Sequence, residues 1–399
     1  MDEAQVFKNI TVLSLEQATV LPYLTLRLAE DGANVIRMEH PVYGDPNRRV
    51  GDDVLKEDRM FSYYLSINAG KKALTLDIGT PEGQEILKKL ILKLKVDIFA
   101  TNQLPRNYPK LGIEYEMLKR IKEDIIWLGM TGFGPQNNEA AYDPVLQARG
   151  GLMELTGEKG GPPQVMGIPL PDMGASEHGY GLLMKALFKR AVTGQGSRID
   201  LSMFESTVSW LTQAITHTVT FKKKVSRRGN THEFFSPVSV YETKDGYAYI
   251  AVGNDKQWET MTKIPGFESI YKKEYERNAG RIADVDNLNN AINAVTKKFS
   301  TSQLIDIFNK ATIAISKVNT IEEVVEDPLV KPNLIRSKDP KTAIEITIAP
   351  PPINNSYLKS VNRMLSFPPR FGEHNGEIYS ALLGYSAAQL KEFKEKNII

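Results

Sequence analysis

The sequence predicts an α/β protein, with a large domain built on a mostly parallel, doubly wound sheet and a smaller α+β domain. Three observations support this prediction. Short apolar runs alternate with helical patterns over the first third of the chain, as in parallel sheets covered by helices on both faces. An alternating hairpin pattern begins near residue 238. The 399 residues are too many for one compact core and enough for two or three domains.

Five short apolar segments in the first third are predicted strands, and they cover residues 10–15, 34–39, 73–78, 96–100 and 125–129. A helix is predicted to begin after the third strand. Thr80 is a favoured amino-terminal cap, Pro81 suits the first helical position, and Glu82 places an acid in the first turn. Because the carboxyl ends of parallel strands meet at one edge of a sheet, we expect a ligand at that edge.

A different organisation begins near Arg227. Residues 238–252 alternate apolar and polar around Lys244-Asp245-Gly246, in which Asp-Gly tolerates the positive dihedrals of a tight turn. Charged helical patterns follow over residues 258–309. We therefore expect the large α/β domain at residues 1–220 and the small α+β domain at residues 225–335.

The composition excludes several classes of function. There are no cysteines, which excludes disulfides, thiolate metal sites and cysteine nucleophiles. The five histidines do not pair at metal-ligand spacing, so we predict no metal site. The formal net charge is only +2, so we expect neither nucleic acid nor a membrane as partner. Apolar runs stop short of membrane-spanning length and the first residues are polar, so we expect a cytoplasmic protein.

Segments along nearly the whole chain match one family in order and at sensible spacing. Gly167-Ile168-Pro169-Leu170-Pro171-Asp172 is similar to the segment that carries the family's catalytic aspartate. The other matching segments are 12–15, 28–39, 44–48, 68–77, 80–83, 131–134, 142–148, 186–202, 228–230, 244–246 and 372–374. Together they resemble the class III (family III) coenzyme A (CoA) transferases, a family that also includes 2-methylacyl-CoA racemases.

The resemblance implies an enzyme that moves CoA from an acyl-CoA to a carboxylic acid. CoA is then a substrate, and no cofactor is expected to be bound permanently. The resemblance also implies a large domain built from both chain ends, so we expect residues 336–399 to return to it. Finally, it implies a homodimer whose two chains are interlocked.

Asp172 is the expected catalytic residue. By resemblance, its carboxylate attacks the thioester, giving an anhydride and then an enzyme thioester with CoA. Covalent catalysis of this kind divides one difficult exchange into easier steps. A carboxylate is a weak nucleophile in water, and the stiff, apolar Pro169-Leu170-Pro171 before it suits a partly desolvated pocket. From local sequence alone, Asp172 would instead be read as the cap of a helix that forms by about Gly181.

Eight further residues are predicted to contact CoA, all by resemblance. Four lie where the family presents basic residues, and four fall at other positions lining the site. The first group is His40, Lys71, Lys72 and Lys110, and the second is Thr19, Asn102, Tyr142 and Met203. His40 replaces the Arg common there, so its contact with phosphate depends on protonation. Each lysine could equally be a solvated surface charge, and Met203 could be a core residue.

Two other functions remain open. A racemase is disfavoured because, by resemblance, Tyr142 occupies the position of the catalytic His of the racemases. The ordinary pKa of a tyrosine is too high for easy proton abstraction. Another base would be needed, and the candidates are Glu177, His178 and Glu233. A non-catalytic CoA-binding subunit is the third possibility, although it would have no need of Asp172. An oxalate or formate specialist is also disfavoured, because residues 228–236 contain one glycine and no glycine run.

Overall fold

The computed structural model describes residue 3 and residues 6–352 and 355–399. The strands in these residues are β1 (Thr11–Leu15), β2 (Asn34–Glu39), β3 (Lys72–Thr75), β4 (Ile98–Thr101), β5 (Ile126–Thr131), β6 (Ser197–Ser202), β7 (Val238–Thr243), β8 (Gly246–Ala251), β9 (Ala314–Lys317), β10 (Ile335–Lys338) and β11 (Glu345–Ile348). The five strands predicted in the first third are all present, with ends shifted by up to three residues.

The α-helices in the described residues are α1 (Val20–Glu30), α2 (Ser62–Ser66), α3 (Pro81–Lys93), α4 (Tyr108–Leu111), α5 (Tyr115–Ile121), α6 (Asp143–Arg149), α7 (Leu152–Leu155), α8 (Leu170–Thr193), α9 (Met203–Ser209), α10 (Thr212–Val219), α11 (Asp255–Met261), α12 (Asn278–Ala283), α13 (Val285–Thr296), α14 (Thr301–Lys310), α15 (Ile321–Glu326), α16 (Ser356–Ser360) and α17 (Ala387–Glu395). A π-helix covers Gly376–Leu382, and short 3-10 helices cover Pro46–Arg49, Pro105–Asn107, Glu268–Ile270, Lys273–Tyr275 and Lys331–Asn333.

Six strands form one sheet in the order β3-β2-β1-β4-β5-β6, and every neighbouring pair is parallel. The predicted α/β fold class is therefore confirmed. Strand order reverses between β1 and β4, and ligands of open α/β sheets bind at the carboxyl ends of the strands beside such a reversal. β6 was not predicted as a strand. It is an edge strand whose Arg198 and Asp200 are ion-paired at 2.7 Å and partly solvated, so its apolar signal is weak.

Helices cover both faces of this sheet. Because side chains of a strand alternate between faces, Val12 and Leu13 of β1 enter different cores. On one face Leu13 packs with Leu87 of α3, and the Thr80 hydroxyl accepts a hydrogen bond from the backbone N–H of Gly83 as the predicted cap. On the other face Val12 packs with residues of α1 and α8, the helix that begins with Leu170.

The chain divides into two compact units. The first comprises residues 1–151, 166–222 and 329–399, and the second comprises residues 152–165 and 223–328. The predicted large domain, 1–220, thus includes a short segment, 152–165, that groups with the second unit. The last 71 residues contribute β10 and β11 to the first unit, and the Tyr379 hydroxyl donates to the backbone oxygen of Thr75 at 2.6 Å.

The second unit has a core of its own. Its sheet has the order β7-β8-β9 and is antiparallel, with Lys244 and Asp245 in the predicted turn between β7 and β8. Trp258, Ile292 and Phe308 of three helices pack against this sheet with Ile250. The unit is therefore an antiparallel sheet covered by helices.

Candidate active site

A cavity of about 590 Å³ lies at the carboxyl ends of the sheet strands, next to the reversal between β1 and β4. It is lined by residues 17–20, Asn47, Val50, Tyr63, 102–104, Asn107, 130–132, 139–143, Asp172 and Met203. The loops after β1 and β4, the end of β5 and the first residue of α9 all contribute. The predicted ligand edge therefore holds a cavity large enough for a small substrate.

Asp172 enters this cavity from the first turn of α8. The helix begins at Leu170, because Pro171 suits the first turn, where no N–H partner is required. The alternative of Asp172 as a helix cap is wrong. The helix starts eleven residues before Gly181, Pro169 occupies the cap position, and no side chain forms a cap hydrogen bond there. Asp172 is half-buried, so its carboxyl group is partly withdrawn from water.

A second carboxylate, that of Asp143, lies beside Asp172. Asp143 Oδ2 accepts a hydrogen bond from the backbone N–H of Asp172 at 3.1 Å, and Gln147 Nε2 donates to Oδ1 at 2.6 Å. Burial, together with the negative charge of Asp143 as the smaller cause, raises the pKa of Asp172 to about 7. Burial also raises the pKa of Asp143, against the effect of its two hydrogen bonds. The pair therefore holds a carboxyl group that changes charge near neutral pH.

No role was predicted for Asp143, although it lies within the matching segment 142–148. The local signal was present. Asp143-Pro144 opens α6 just as Pro171-Asp172 lies in the first turn of α8, so each helix has an acid in its first turn. What the sequence could not indicate is that these two turns meet, because 29 residues separate them.

Four of the predicted CoA-contact residues line the same cavity as Asp172, namely Thr19, Asn102, Tyr142 and Met203. The Thr19 and Tyr63 hydroxyls are hydrogen-bonded at 2.8 Å. Tyr142 is 72% exposed. Asn102 uses its amide on the protein itself, since Oδ1 accepts from Gln17 N at 3.1 Å and Nδ2 donates to Gln17 O at 2.8 Å.

Comparison with known proteins decides the family. The model of CoA-transferase family III matches residues 7–375 of the chain. The chain belongs to CoA-transferase family III. Succinyl-CoA:glutarate CoA-transferase of Mus musculus is 28% identical over 403 residues, covering 100% of this chain and 91% of that protein. Succinyl-CoA:mesaconate CoA-transferase of Haloarcula hispanica is 28% identical over 364 residues, covering 86% of this chain and 89% of that protein.

A solved structure is similar over the same extent. The crystal structure of a CAIB/BAIF family protein from Brucella suis matches with a TM-score of 0.81 and 29% identity, covering 94% of this chain and 99% of that one. The predicted family and the predicted enzyme class, a CoA-transferase, are confirmed. CoA is accordingly a substrate. None of the helices in the described part of the chain is long and apolar enough to cross a membrane.

The basic residues predicted for this CoA-transferase do not line the cavity, and Lys71 requires a correction. Lys71 is 2% exposed, and its ammonium group donates to Glu16 Oε1 at 3.1 Å, Pro22 O at 2.7 Å and Asn68 Oδ1 at 2.9 Å. These bonds use all three of its hydrogens, so none is left for a phosphate. Burial lowers the pKa of Lys71 to about 8 despite the charge of Glu16. We therefore assign Lys71 to the interior of the CoA-transferase and not to its CoA site.

The other three basic residues lie at different places in the first unit. His40 follows β2, and its Nε2 is 3.8 Å from Asp77 Oδ2. Lys72 begins β3 and forms an ion pair with Glu377 at 2.5 Å. Lys110 is exposed on α4. Their contacts with the CoA phosphates stay predictions, as does the homodimer of this CoA-transferase.

Proposed function

We propose that the protein transfers CoA from an acyl-CoA donor to a carboxylic acid acceptor through covalent intermediates on Asp172. The observation that supports this proposal most strongly is that Asp172 is a half-buried carboxyl group in the cavity and has a pKa of about 7. Surface aspartates ionise near pH 4 and are well solvated, whereas a group with a raised pKa in a cavity is suited to chemistry.

The reaction begins when the Asp172 carboxylate attacks the donor thioester carbonyl. The carbon–sulfur bond breaks, CoA leaves as a thiolate, and an aspartyl–acyl anhydride forms. The thiolate then attacks the aspartyl carbonyl, which releases the donor acid and leaves an aspartyl–CoA thioester. The acceptor carboxylate attacks that thioester and again expels the thiolate, which takes the acceptor acyl group from the new anhydride. Acceptor acyl-CoA leaves, and the Asp172 carboxylate is regenerated with no net change in protons.

The surroundings of Asp172 suit the first step of this sequence. A carboxylate with a higher pKa is a stronger nucleophile, and partial removal of its water lowers the cost of reaching the carbonyl carbon. The ionised fraction is large enough at neutral pH, because a group with a pKa of about 7 is about half ionised there.

We further propose succinyl-CoA as donor and a dicarboxylic acid such as glutarate as acceptor. The names of the relatives described above support this choice, since glutarate and mesaconate are both dicarboxylic acids. Among the described residues lining the cavity, none is Lys or Arg. Within this chain, hydroxyl and amide groups such as those of Tyr63, Gln103 and Asn107 are therefore the proposed partners of the second carboxylate.

The positions of the other candidate bases argue against a racemase. Glu177 pairs with Arg27 at 3.0 Å, and His178 Nδ1 is hydrogen-bonded to the Ser206 hydroxyl at 2.8 Å. Neither of these residues is among those lining the cavity with Asp172. Glu233 belongs to the second unit, where it pairs with Arg228 at 2.9 Å. A non-catalytic subunit is also disfavoured, because it would gain nothing from the unfavourable burial of Asp172.

The test is an intact-mass measurement after reaction with a panel of acyl-CoAs and an acid quench. Wild type, Asp172→Asn and Asp286→Asn are compared. Asp286 is a matched control because it also lies in the first turn of a helix, α13, but is exposed and paired with Lys159. We expect a CoA- or acyl-sized mass increase on wild type and Asp286→Asn, and none on Asp172→Asn.

The same samples are assayed for transfer of CoA from succinyl-CoA to glutarate, mesaconate and oxalate. Transfer together with an adduct that requires Asp172 supports the proposal. Loss of deuterium from the α-carbon of a 2-methylacyl-CoA, without transfer, would instead establish a racemase. An adduct that persists in Asp172→Asn would show that another residue is the nucleophile.

A further inference from the structure

Ala18, in the loop between β1 and α1, has a left-handed backbone conformation with φ of 60°. This conformation is unfavourable for every L-residue with a Cβ atom, and glycine is its usual occupant. Ala18 also lines the cavity that contains Asp172. Strained backbone persists only where surrounding groups hold it, so the contacts of Ala18 indicate which residues shape this wall of the cavity.

Two side chains from the segment after β2 hold both backbone polar groups of Ala18, its N–H and its carbonyl oxygen. Asp45 Oδ1 accepts from Ala18 N at 3.1 Å, and Asn47 Nδ2 donates to Ala18 O at 2.7 Å. Asp45 Oδ1 also accepts from Asn47 N at 2.9 Å, which joins the two holding residues to each other. Residues 45–47 thus hold Ala18 in its left-handed conformation.

The Asp45 carboxylate is itself immobile. Its Oδ2 accepts from Arg37 Nη2 at 2.7 Å, and both side chains are fully buried. The backbone N–H of Asp45 donates to Glu39 Oε2 at 3.0 Å. A buried, charge-paired carboxylate of this kind has one low-energy position, because moving it would leave a buried charge without its partner.

The same loop is connected to the helix that carries Asp172. Ser176, one turn after Asp172 on α8, donates from its hydroxyl to Val20 O at 2.5 Å. On its other side, Asn102 holds both polar groups of Gln17. Hydrogen bonds to the backbone of Gln17, Ala18 and Val20 therefore hold the cavity wall at residues 17–19.

We infer that Asp45 is a positioning residue of the active site, which sets the cavity wall at residues 17–19 by holding Ala18 in its left-handed conformation. The inference rests on the proposed function for the reaction that is measured. The inference predicts that the effects of substitutions at positions 45 and 18 depend on each other. Without Asp45, an alanine at position 18 should relax to ordinary dihedrals, whereas a glycine there should still adopt the left-handed conformation.

The test compares four proteins: wild type, Asp45→Asn, Asp45→Asn with Ala18→Gly, and Asp45→Asn with Ala343→Gly. Asparagine has one acceptor oxygen where aspartate has two. The buried, charged Arg37 requires an acceptor, so the amide oxygen should face Arg37 and the amide NH2 should face Ala18 N, which removes the bond to Ala18. Ala343 is the matched control, because it has φ of 62° but is exposed and outside the cavity. Transfer rate, the dissociation constant for CoA and the melting temperature are measured for each.

We expect Asp45→Asn to remain folded and to lose about ten- to a hundredfold in transfer rate. Ala18→Gly should then restore about five- to tenfold, the factor that corresponds to the strain of a left-handed alanine, and Ala343→Gly should restore nothing. An unchanged rate in folded Asp45→Asn, or equal recovery by both glycine variants, would overturn the inference.

Two further outcomes remain decisive. If Asp45→Asn does not fold, Asn47→Ala, which removes the other bond to Ala18, takes its place with the same two glycine variants and the same criterion. If wild type transfers no CoA, the proposed function fails on its own. The coupling is then judged by CoA affinity, which Ala18→Gly should restore and Ala343→Gly should not.

Discussion

Replacing Asp172 by asparagine should stabilise the folded protein at neutral pH while it abolishes CoA transfer. Asparagine has nearly the same shape but no charge. In the folded wild type, the charged form of Asp172 is disfavoured by burial and by the neighbouring charge of Asp143, and this is why its pKa is about 7. Removing the charge removes this penalty, and it also removes the proposed nucleophile.

The magnitude follows from linkage between proton binding and folding. The pKa rises from 3.8 in the unfolded chain to about 7 in the folded protein, and each pH unit corresponds to about 1.4 kcal/mol. The ceiling is therefore about 4 kcal/mol, and we expect roughly 1–3 kcal/mol because water and structural relaxation reduce such penalties. The sign is set by the raised pKa. Wild type suffers no penalty below about pH 4, loses stability as pH rises to about 7, and suffers a constant penalty above that.

Thermal unfolding of wild type, Asp172→Asn and Asp286→Asn at about pH 4, 6 and 8 measures this effect. The melting temperature of Asp172→Asn should exceed that of wild type by a few degrees at pH 8, by less at pH 6 and hardly at all at pH 4. Asp286→Asn should stay close to wild type throughout. A difference of equal size at every pH would refute the reasoning, because it could not come from ionisation of Asp172.

Three further predictions concern the surroundings of Asp172 and the buried Lys71. The rate of adduct formation on Asp172 should rise with pH up to about 7 and then level off, as pre-steady-state intact-mass measurements can show. Asp143→Asn should move that midpoint to lower pH, because one of the two causes of the raised pKa is removed; a midpoint that stays in place would exclude Asp143 as a cause. Lys71→Met should destabilise the protein by about 3 kcal/mol, since it leaves the buried Glu16 without its lysine, while the CoA affinity of the folded fraction stays unchanged in calorimetric titration.

Most of the sheet could be predicted from sequence because its strands are buried on both faces. The segments at β1, β4 and β5 are mostly apolar, and the structure buries every residue of them. The rule fails at β6, where a sheet edge lets charged residues such as Arg198 and Asp200 face solvent. The grouping of residues 152–165 with the second unit could not be predicted either. It depends on contacts with distant segments, such as the ion pair between Arg227 and Glu154 at 2.7 Å.

In the site, too, individual residues could be predicted from sequence, whereas contacts between residues far apart in the chain could not. Asp172 and four further residues were predicted by resemblance to the family, and all five line one cavity in the structure. The burial of Lys71 could not be predicted in this way. Next to Lys72 it has the pattern of a basic pair for a phosphate, yet its ammonium lies against Glu16, 55 residues away in sequence. Although burial opposes it, the charges of Lys71 and Arg37 lower the pKa of Glu16, so the three form a buried charge cluster.

The state of Asp172 is the clearest case in which a sound local rule gives the wrong sign. An acid in the first turn of a helix is normally stabilised as the anion by about 0.3–1 kcal/mol through the helix dipole, which should lower its pKa. Asp172 and Asp143 both occupy such turns, and yet the pKa of each is raised. The desolvation and mutual repulsion at Asp172 amount to a ceiling of about 4 kcal/mol, which exceeds the dipole effect severalfold. The resemblance to the family indicated Asp172, but the ionisation of its carboxyl group depends on a second helix end that only the packing of the folded chain brings beside it.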